Sequence, residues 1–256
     1  MSEKCQSNTV IEQVSSLLTL PGRVAKDSPC RASSRLGVLS LQVGPPFERR
    51  WRAPPHGSSA TLPLAAMSLS REFENIDVLL KNRTETTGVD CFSLAVIKLE
   101  RQMRRLFTYS VFQFPCFTSS DIPALRKALV DQKRAYFEGF IRGMDALHPQ
   151  PVSQLVGADY AAVFPIVQQA IDYRNKIFHG QLTPRALNTT DLLSIVESIR
   201  DWCRLLGDSA ERYFGYSGFT SSFRKAPDSA FVSGYRTTLS SIRDYEAFLV
   251  QHVKRP

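Results

Sequence analysis

From Val89 to Phe112, apolar side chains return at three- and four-residue steps, and a period sustained that long commits the chain to helix. Phe92, Val96, Leu99, Met103 and Leu106 or Phe107 form one stripe, with Ala95 beside it. The opposite face carries Lys98, Glu100, Arg101, Arg104 and Arg105. It reads as a solvated face on which Glu100 and Arg104, four apart, pair across a turn. An aromatic corner from Phe112 to Phe117, containing Pro115, ends this helix.

The same period recurs downstream. A second helix is expected over Asp121–Leu147, with Asp121 as N-cap, Pro123 in the first turn, and a stripe through Leu125, Leu129, Tyr136, Phe140, Met144 and Leu147. His148-Pro149-Gln150-Pro151 then breaks the chain, and His148 reads as a loop residue. A third helix, Asp159–His179, carries Tyr160, Val163, Phe164, Val167, Ala170 and Ile171 on one face. Asn188 to Asp191 offers N-caps for a fourth, running to about Tyr213, with Leu192, Ile195, Val196, Ile199, Trp202 or Cys203 and Leu206 in register and Trp202 in the core. Gly215–Pro227 reads as a loop. A last helix, Ser229–Val253, spaces Phe231, Tyr235, Leu239, Ile242, Leu249 and Val253 at near-heptad steps, which fits both closing the bundle and forming a dimer seam. Strand alternation is missing from the central region. The expected fold is all-α, an antiparallel bundle of four to five helices over residues 67–256.

Residues 1–66 differ in kind. Pro21-Gly22, Gly44-Pro45-Pro46 and Pro54-Pro55 interrupt any periodicity, and the segment is rich in Ser and Arg. It reads as a disordered tail, or as sequence upstream of a natural start at Met67. Arg49, Arg50 and Arg52 could act as an RNA-binding arm. The chain carries a net charge of +8, and with eight basic and four acidic residues this segment supplies half of it. The remainder is mildly basic, compatible with RNA. Five cysteines, odd in number and without a Cys-x-x-Cys pair, argue against a disulfide framework or a zinc site and suit a reducing cytoplasm. No apolar run reaches the roughly 18 residues of a membrane span, and no secretory signal pattern opens the chain.

The unusual position is Arg174. Continuing the stripe of the third helix lands on it, so a permanent charge falls on a face meant for the core. Burying an unpaired charge costs several kcal/mol, so either a carboxylate meets it or a function requires it. Gly180 is placed to cap the helix, which puts His179 in the last turn, where the helix dipole favours imidazolium. An arginine and a titratable histidine held together suit a reaction on phosphate.

Arg174-Asn175-x-x-x-His179, late in an amphipathic helix and followed by another long helix, resembles the signature of the HEPN superfamily. These are all-α domains, many of them metal-independent ribonucleases of toxin–antitoxin, CRISPR and anti-phage systems. The resemblance covers about residues 88–214. It implies a homodimer whose two Arg–His motifs face one cleft, with RNA as substrate and a cognate antitoxin as partner. Arg174 would hold the phosphate by its guanidinium fork, Asn175 would orient His179, and the 2′-hydroxyl of RNA would serve as nucleophile. Arg101, Arg104, Arg105 and Lys176 are candidates to line the RNA path. No carboxylate cluster, His/Cys ligand set or phosphate-binding glycine loop suggests a metal or nucleotide cofactor. The alternative is a noncatalytic helical module that binds RNA or protein.

Overall fold

The computed structural model describes residues 64–254 apart from 133–134, 182, 184–185 and 227–229. The expectations for residues 1–63 therefore lie outside the described residues. The elements are α1 (Leu64–Lys81), α2 (Thr87–Phe112), α3 (Ile122–Asp131), α4 (Phe137–Leu147), α5 (Val152–Val156), α6 (Tyr160–Phe178), α7 (Thr189–Phe214) and α8 (Ile242–Phe248). Short 3₁₀ turns precede α3 and α6 and lie at Ala230–Gly234, and a π-helical turn, Leu249–Val253, continues α8. Among the described residues no strand forms; one isolated antiparallel bridge joins Ala135 and Lys254. The all-α expectation holds at the level of a helical bundle.

Helices α2 and α7 form the central pair, and the other elements pack around them. The stripe of α2 is fully buried, as are Val196, Ile199, Trp202, Cys203 and Leu206 of α7. Trp202 is enclosed by the rings of Phe137, Tyr160 and Phe164. The ends of α6 and α7 follow their local chemistry. Asn188 Oδ1 accepts from the Asp191 N–H at 2.9 Å, and the Asp191 carboxylate accepts from the Asn188 N–H, so α7 begins in a capping box. At the end of α6, Gly180 has φ +63°, its N–H reaches the Ile177 carbonyl, and the Gln181 N–H reaches the Lys176 carbonyl. That pair of bonds is a Schellman cap, and the left-handed residue at its centre favours glycine.

Three expectations need correction. First, the charged face of α2 is only partly solvated. Helix α1, not anticipated, lies on it, sealing Phe73 and Ile76 into the core and leaving Lys98 only 8% exposed. Second, Asp121–Leu147 is two helices. The chain leaves α3 at Gln132 and enters α4 at Phe137. An unbroken helix would carry Tyr136 in its stripe. The break instead rotates α4 so that Phe137 goes in, at 2% exposure, and Tyr136 comes out, at 45%. Third, the C-terminal segment is not one helix. The Arg236 N–H bonds the Leu147 carbonyl at 2.9 Å and Thr237 Oγ1 bonds the Ala146 carbonyl at 3.0 Å, so this stretch crosses the end of α4. Helix starts again where Ser241 caps the Asp244 N–H. Of the two roles left open for this segment, the structure shows closure of the bundle. Tyr245, Phe248, Leu249 and Val253 are buried against α3 and α4.

His148 lies just past the end of α4, in the connection expected for it, and its side chain is buried. It is 1% exposed, lies against the rings of Phe214 and Tyr235, and shares a 2.9 Å hydrogen bond between Nε2 and Ser110 Oγ. Burial holds its pKa down to about 3. An unfolded histidine titrates near 6.5, so between these values the unfolded chain binds the extra proton. The contribution of His148 is therefore whole above roughly pH 6.5 and is lost as pH falls towards 3, at up to about 1.4 kcal/mol per pH unit. The melting temperature is expected to drop from pH 7 to pH 4, and His148→Gln should flatten that limb. An unchanged slope in the variant would show that another group controls it.

Closure depends on a close approach at Gly139, where a Cβ would collide with the Val253 carbonyl oxygen. One turn on, a Cβ on Gly143 would meet Phe107 at 2.8 Å and the Val253 side chain at 2.9 Å. Alanine is the better helix former by roughly 1 kcal/mol, yet overpacking of this kind costs about 1–3 kcal/mol. Gly139→Ala is accordingly expected to lower stability and to open the C-terminal segment to limited proteolysis. A variant that melts at or above the parent temperature would contradict the observed docking.

Candidate active site

Arg174 leaves the buried face of α6 one turn after Ala170 and one residue after Tyr173, both in the core. Its side chain is 23% exposed and pairs through an Nη with the Glu100 carboxylate of α2, itself 31% exposed. The guanidinium Nε is buried without a partner. Burial pushes the Glu100 carboxyl above the ordinary range, while Arg174 and then Arg104 pull it back. The expected Glu100–Arg104 helix pair is thus replaced by a pair between helices.

This ion pair forms part of the wall of a cleft of about 460 Å³. Helix α2 contributes Ile97, Glu100, Arg101 and Arg104; the end of α3 contributes Leu129, Val130 and Gln132. Ala135 and Tyr136 of the link, Phe137 and Phe140 of α4, and Arg174 complete it. The lining combines three arginines and Glu100 with apolar and aromatic side chains. Among the described residues no three His, Cys, Asp or Glu side chains gather as a metal-ligand set.

The structure brings Arg101, Arg104 and Arg174 to one cleft. Arg104 is exposed there. Arg101 lines it while pairing with Glu72 of α1 at 3.2 Å. Arg105 faces elsewhere, donating to the Phe219 carbonyl at 2.8 Å and lying 3.9 Å from Glu72. Asn175 lines a neighbouring recess of about 80 Å³, which shares Tyr136 and Phe137 with the cleft. Lys176 is half-buried and does not line either cavity. His179 is exposed, at the C-cap of α6, and Phe178 beside it is 61% exposed. Five helical steps separate His179 from Arg174, about 7.5 Å along the axis and roughly 140° around it, so within one protomer the two present to different directions.

The sequence reading missed Glu72, which anchors α1 by meeting Lys98, Arg101 and Arg105. It also missed Tyr136 and Phe137 as lining residues. The spacing Leu69, Phe73, Ile76, Leu80 is a helical stripe that would have revealed α1, and Glu72 flanks it. Neither a family model, nor a curated protein, nor a solved structure matches this chain. Among the described residues no helix is long and apolar enough to cross a membrane.

The Arg174–Glu100 pair lies between the exposed and buried limits, so its loss should cost more than a surface pair. Arg174→Ala is expected to destabilise the fold by about 1–2 kcal/mol, because a desolvated carboxylate loses its main partner. Chemical denaturation measures this directly. A more stable variant would mean that the unpartnered Nε outweighs the pair.

Proposed function

We propose that this protein is a metal-independent endoribonuclease acting through Arg174, Asn175 and His179. One observation carries the reading: Arg174, with an unpartnered Nε, shares a basic cleft with Arg101 and Arg104 and lies five residues before an exposed imidazole at a helix end. The three guanidiniums would hold the phosphodiester and the charge that grows on it in the transition state. Attack of the ribose 2′-oxygen on the adjacent phosphorus forms the new P–O bond, and its proton passes to an imidazole. The P–O5′ bond breaks and the leaving oxygen takes a proton. The products are a 2′,3′-cyclic phosphate and a 5′-hydroxyl.

One histidine cannot readily act as base and acid in the same step, and His179 does not line the cleft of its own protomer. We infer a homodimer in which the ends of two α6 helices face each other and supply two imidazoles. Exposure of His179 and Phe178 supports an approach of that kind. The free thiols Cys91, Cys116 and Cys203 accord with a cytoplasmic setting, and a toxin or anti-phage role with a cognate antitoxin belongs to the same reading. A second reading, binding of RNA or protein without cleavage, is favoured by the counter-ion already on Arg174.

His179→Ala is expected to lose about 10²–10⁴ in cleavage rate with the melting temperature unchanged, since its side chain is exposed. Arg174→Lys should not restore activity, because an ammonium lacks the planar fork. EDTA should leave the wild type active, and an RNA with 2′-deoxyribose at the cut site should resist. Cleavage by His179→Ala at the wild-type rate would remove the catalytic assignment. Tight RNA binding by a wild type that never yields a cyclic phosphate would establish the second reading.

A further inference from the structure

A cleft built to hold a phosphate should present free cations, yet this one contains a carboxylate. Glu100 lies on the same wall as Arg101 and Arg104, and its oxygen contacts an Nη of Arg174. A carboxylate and a phosphate offer a guanidinium the same hydrogen-bonding edge, so the two anions compete for one fork. The cleft also has room for both the pair and a ligand: its volume is about 460 Å³, and Ile97, Val130 and Tyr136 at its edge are 40%, 75% and 45% exposed. Glu100 therefore need not leave the cleft to release Arg174. It needs only to rotate.

We propose that Glu100 is an internal counter-anion seated where ligand phosphate would bind Arg174, so that it gates the site and selects for anions strong enough to displace it. This rests on the reading that the cleft receives an RNA phosphodiester. Glu100 acts through Arg174 and is a positioning residue: it holds the guanidinium in place and at low cost while the site is empty. Arg104, one turn along α2 and on the same wall, is placed to receive the displaced carboxylate. The exchange is a swap of ion pairs, with no bond formed or broken and no net charge buried.

The test uses the full chain and anisotropy of a labelled single-stranded RNA in EDTA, with every variant on a His179→Ala background to prevent cleavage. Glu100→Gln is expected to bind about tenfold more tightly than its parent, and the log–log salt dependence should steepen by roughly one phosphate contact. Adding Arg174→Ala should abolish the gain. A gain that survives Arg174→Ala would be a bulk charge effect and would overturn the proposal. So would a well-folded Glu100→Gln that binds no more tightly than a parent that binds RNA; that result leaves the RNA reading standing. Should Glu100→Gln fail to fold, Glu100→Asp retains the charge but retracts it, and is expected to show a smaller gain of the same kind. Inorganic phosphate, titrated calorimetrically, separates the two ideas. Phosphate binding that appears only on Glu100→Gln, with RNA bound by no variant, would support the gate and remove RNA as its ligand. If neither probe binds any variant, the gate is wrong as well.

Discussion

Helix α2 is buried around most of its circumference, and the polar groups it carries decide how the rest of the chain is placed. A helix surrounded by protein cannot leave its donors and acceptors to water, and each unpaired one costs about 1–3 kcal/mol. Several therefore recruit an element. Lys98 meets Glu72 and the Glu72 carbonyl, which fixes α1. Gln102 donates to the Cys203 carbonyl at 2.9 Å and the Ser217 carbonyl at 3.1 Å, which ties α2 to α7 and to the loop beyond it. Thr108 bonds Ser222, Ser110 bonds His148, and Gln113 holds both the Arg224 carbonyl and the Ala226 N–H. The loop after α7 is pressed so close that a Cβ on Gly218, already at φ +88°, would stand 2.7 Å from Gln102. The apolar stripe supplies the driving force for collapse; these polar contacts select one arrangement from the many that would bury the same area.

What the sequence revealed and what it hid divide along that line. Helix α7 and the end of α6 were legible because their signals are local: a capping box at Asn188, a stripe ending near Leu206, a glycine at 180. The charged face of α2 was misread because its meaning is not local. Lys98 looks like a solvated residue until Glu72, 26 positions earlier, is known to reach it. The break between α3 and α4 was hidden for a similar reason. Tyr136 and Phe137 are both large and aromatic, and which one faces inward is decided by Trp202 and by the C-terminal turn, which arrives last in the chain. The near-heptad spacing from Phe231 to Val253 was misleading, because Tyr235 and Leu239 do reach the core but from an extended stretch that crosses α4. For the candidate site, the sequence showed that Arg174 was out of place on its face. It did not show whether a carboxylate or a function accounts for it.

The structure supplies the carboxylate, and that answer changes the question. A guanidinium buried on an apolar face with no partner would be a standing cost, explicable only by use. Arg174 instead helps to dock α6 against α2, and its partner comes from the helix on which the whole fold depends. On the proposed reading, stability and ligand binding would draw on one ion pair. A phosphate that took Arg174 from Glu100 would have to compensate a packing contact as well as a charge, and the neighbouring Arg104, which already lowers the Glu100 pKa, would be the nearest cation on α2 to the displaced carboxylate. A site arranged in this way would have its charge paired without ligand, and it would discriminate against weak or singly contacting anions, since those cannot repay the exchange. Lys98 and Arg105, held by Glu72, show the same α2 face used for structure, while Arg101 meets Glu72 and also lines the cleft. The difference is the cleft: beside Glu72, Lys98 is closed in by α1, whereas around Glu100 the wall opens to solvent between α3, α4 and α6, where on the proposed reading an anion from outside would compete.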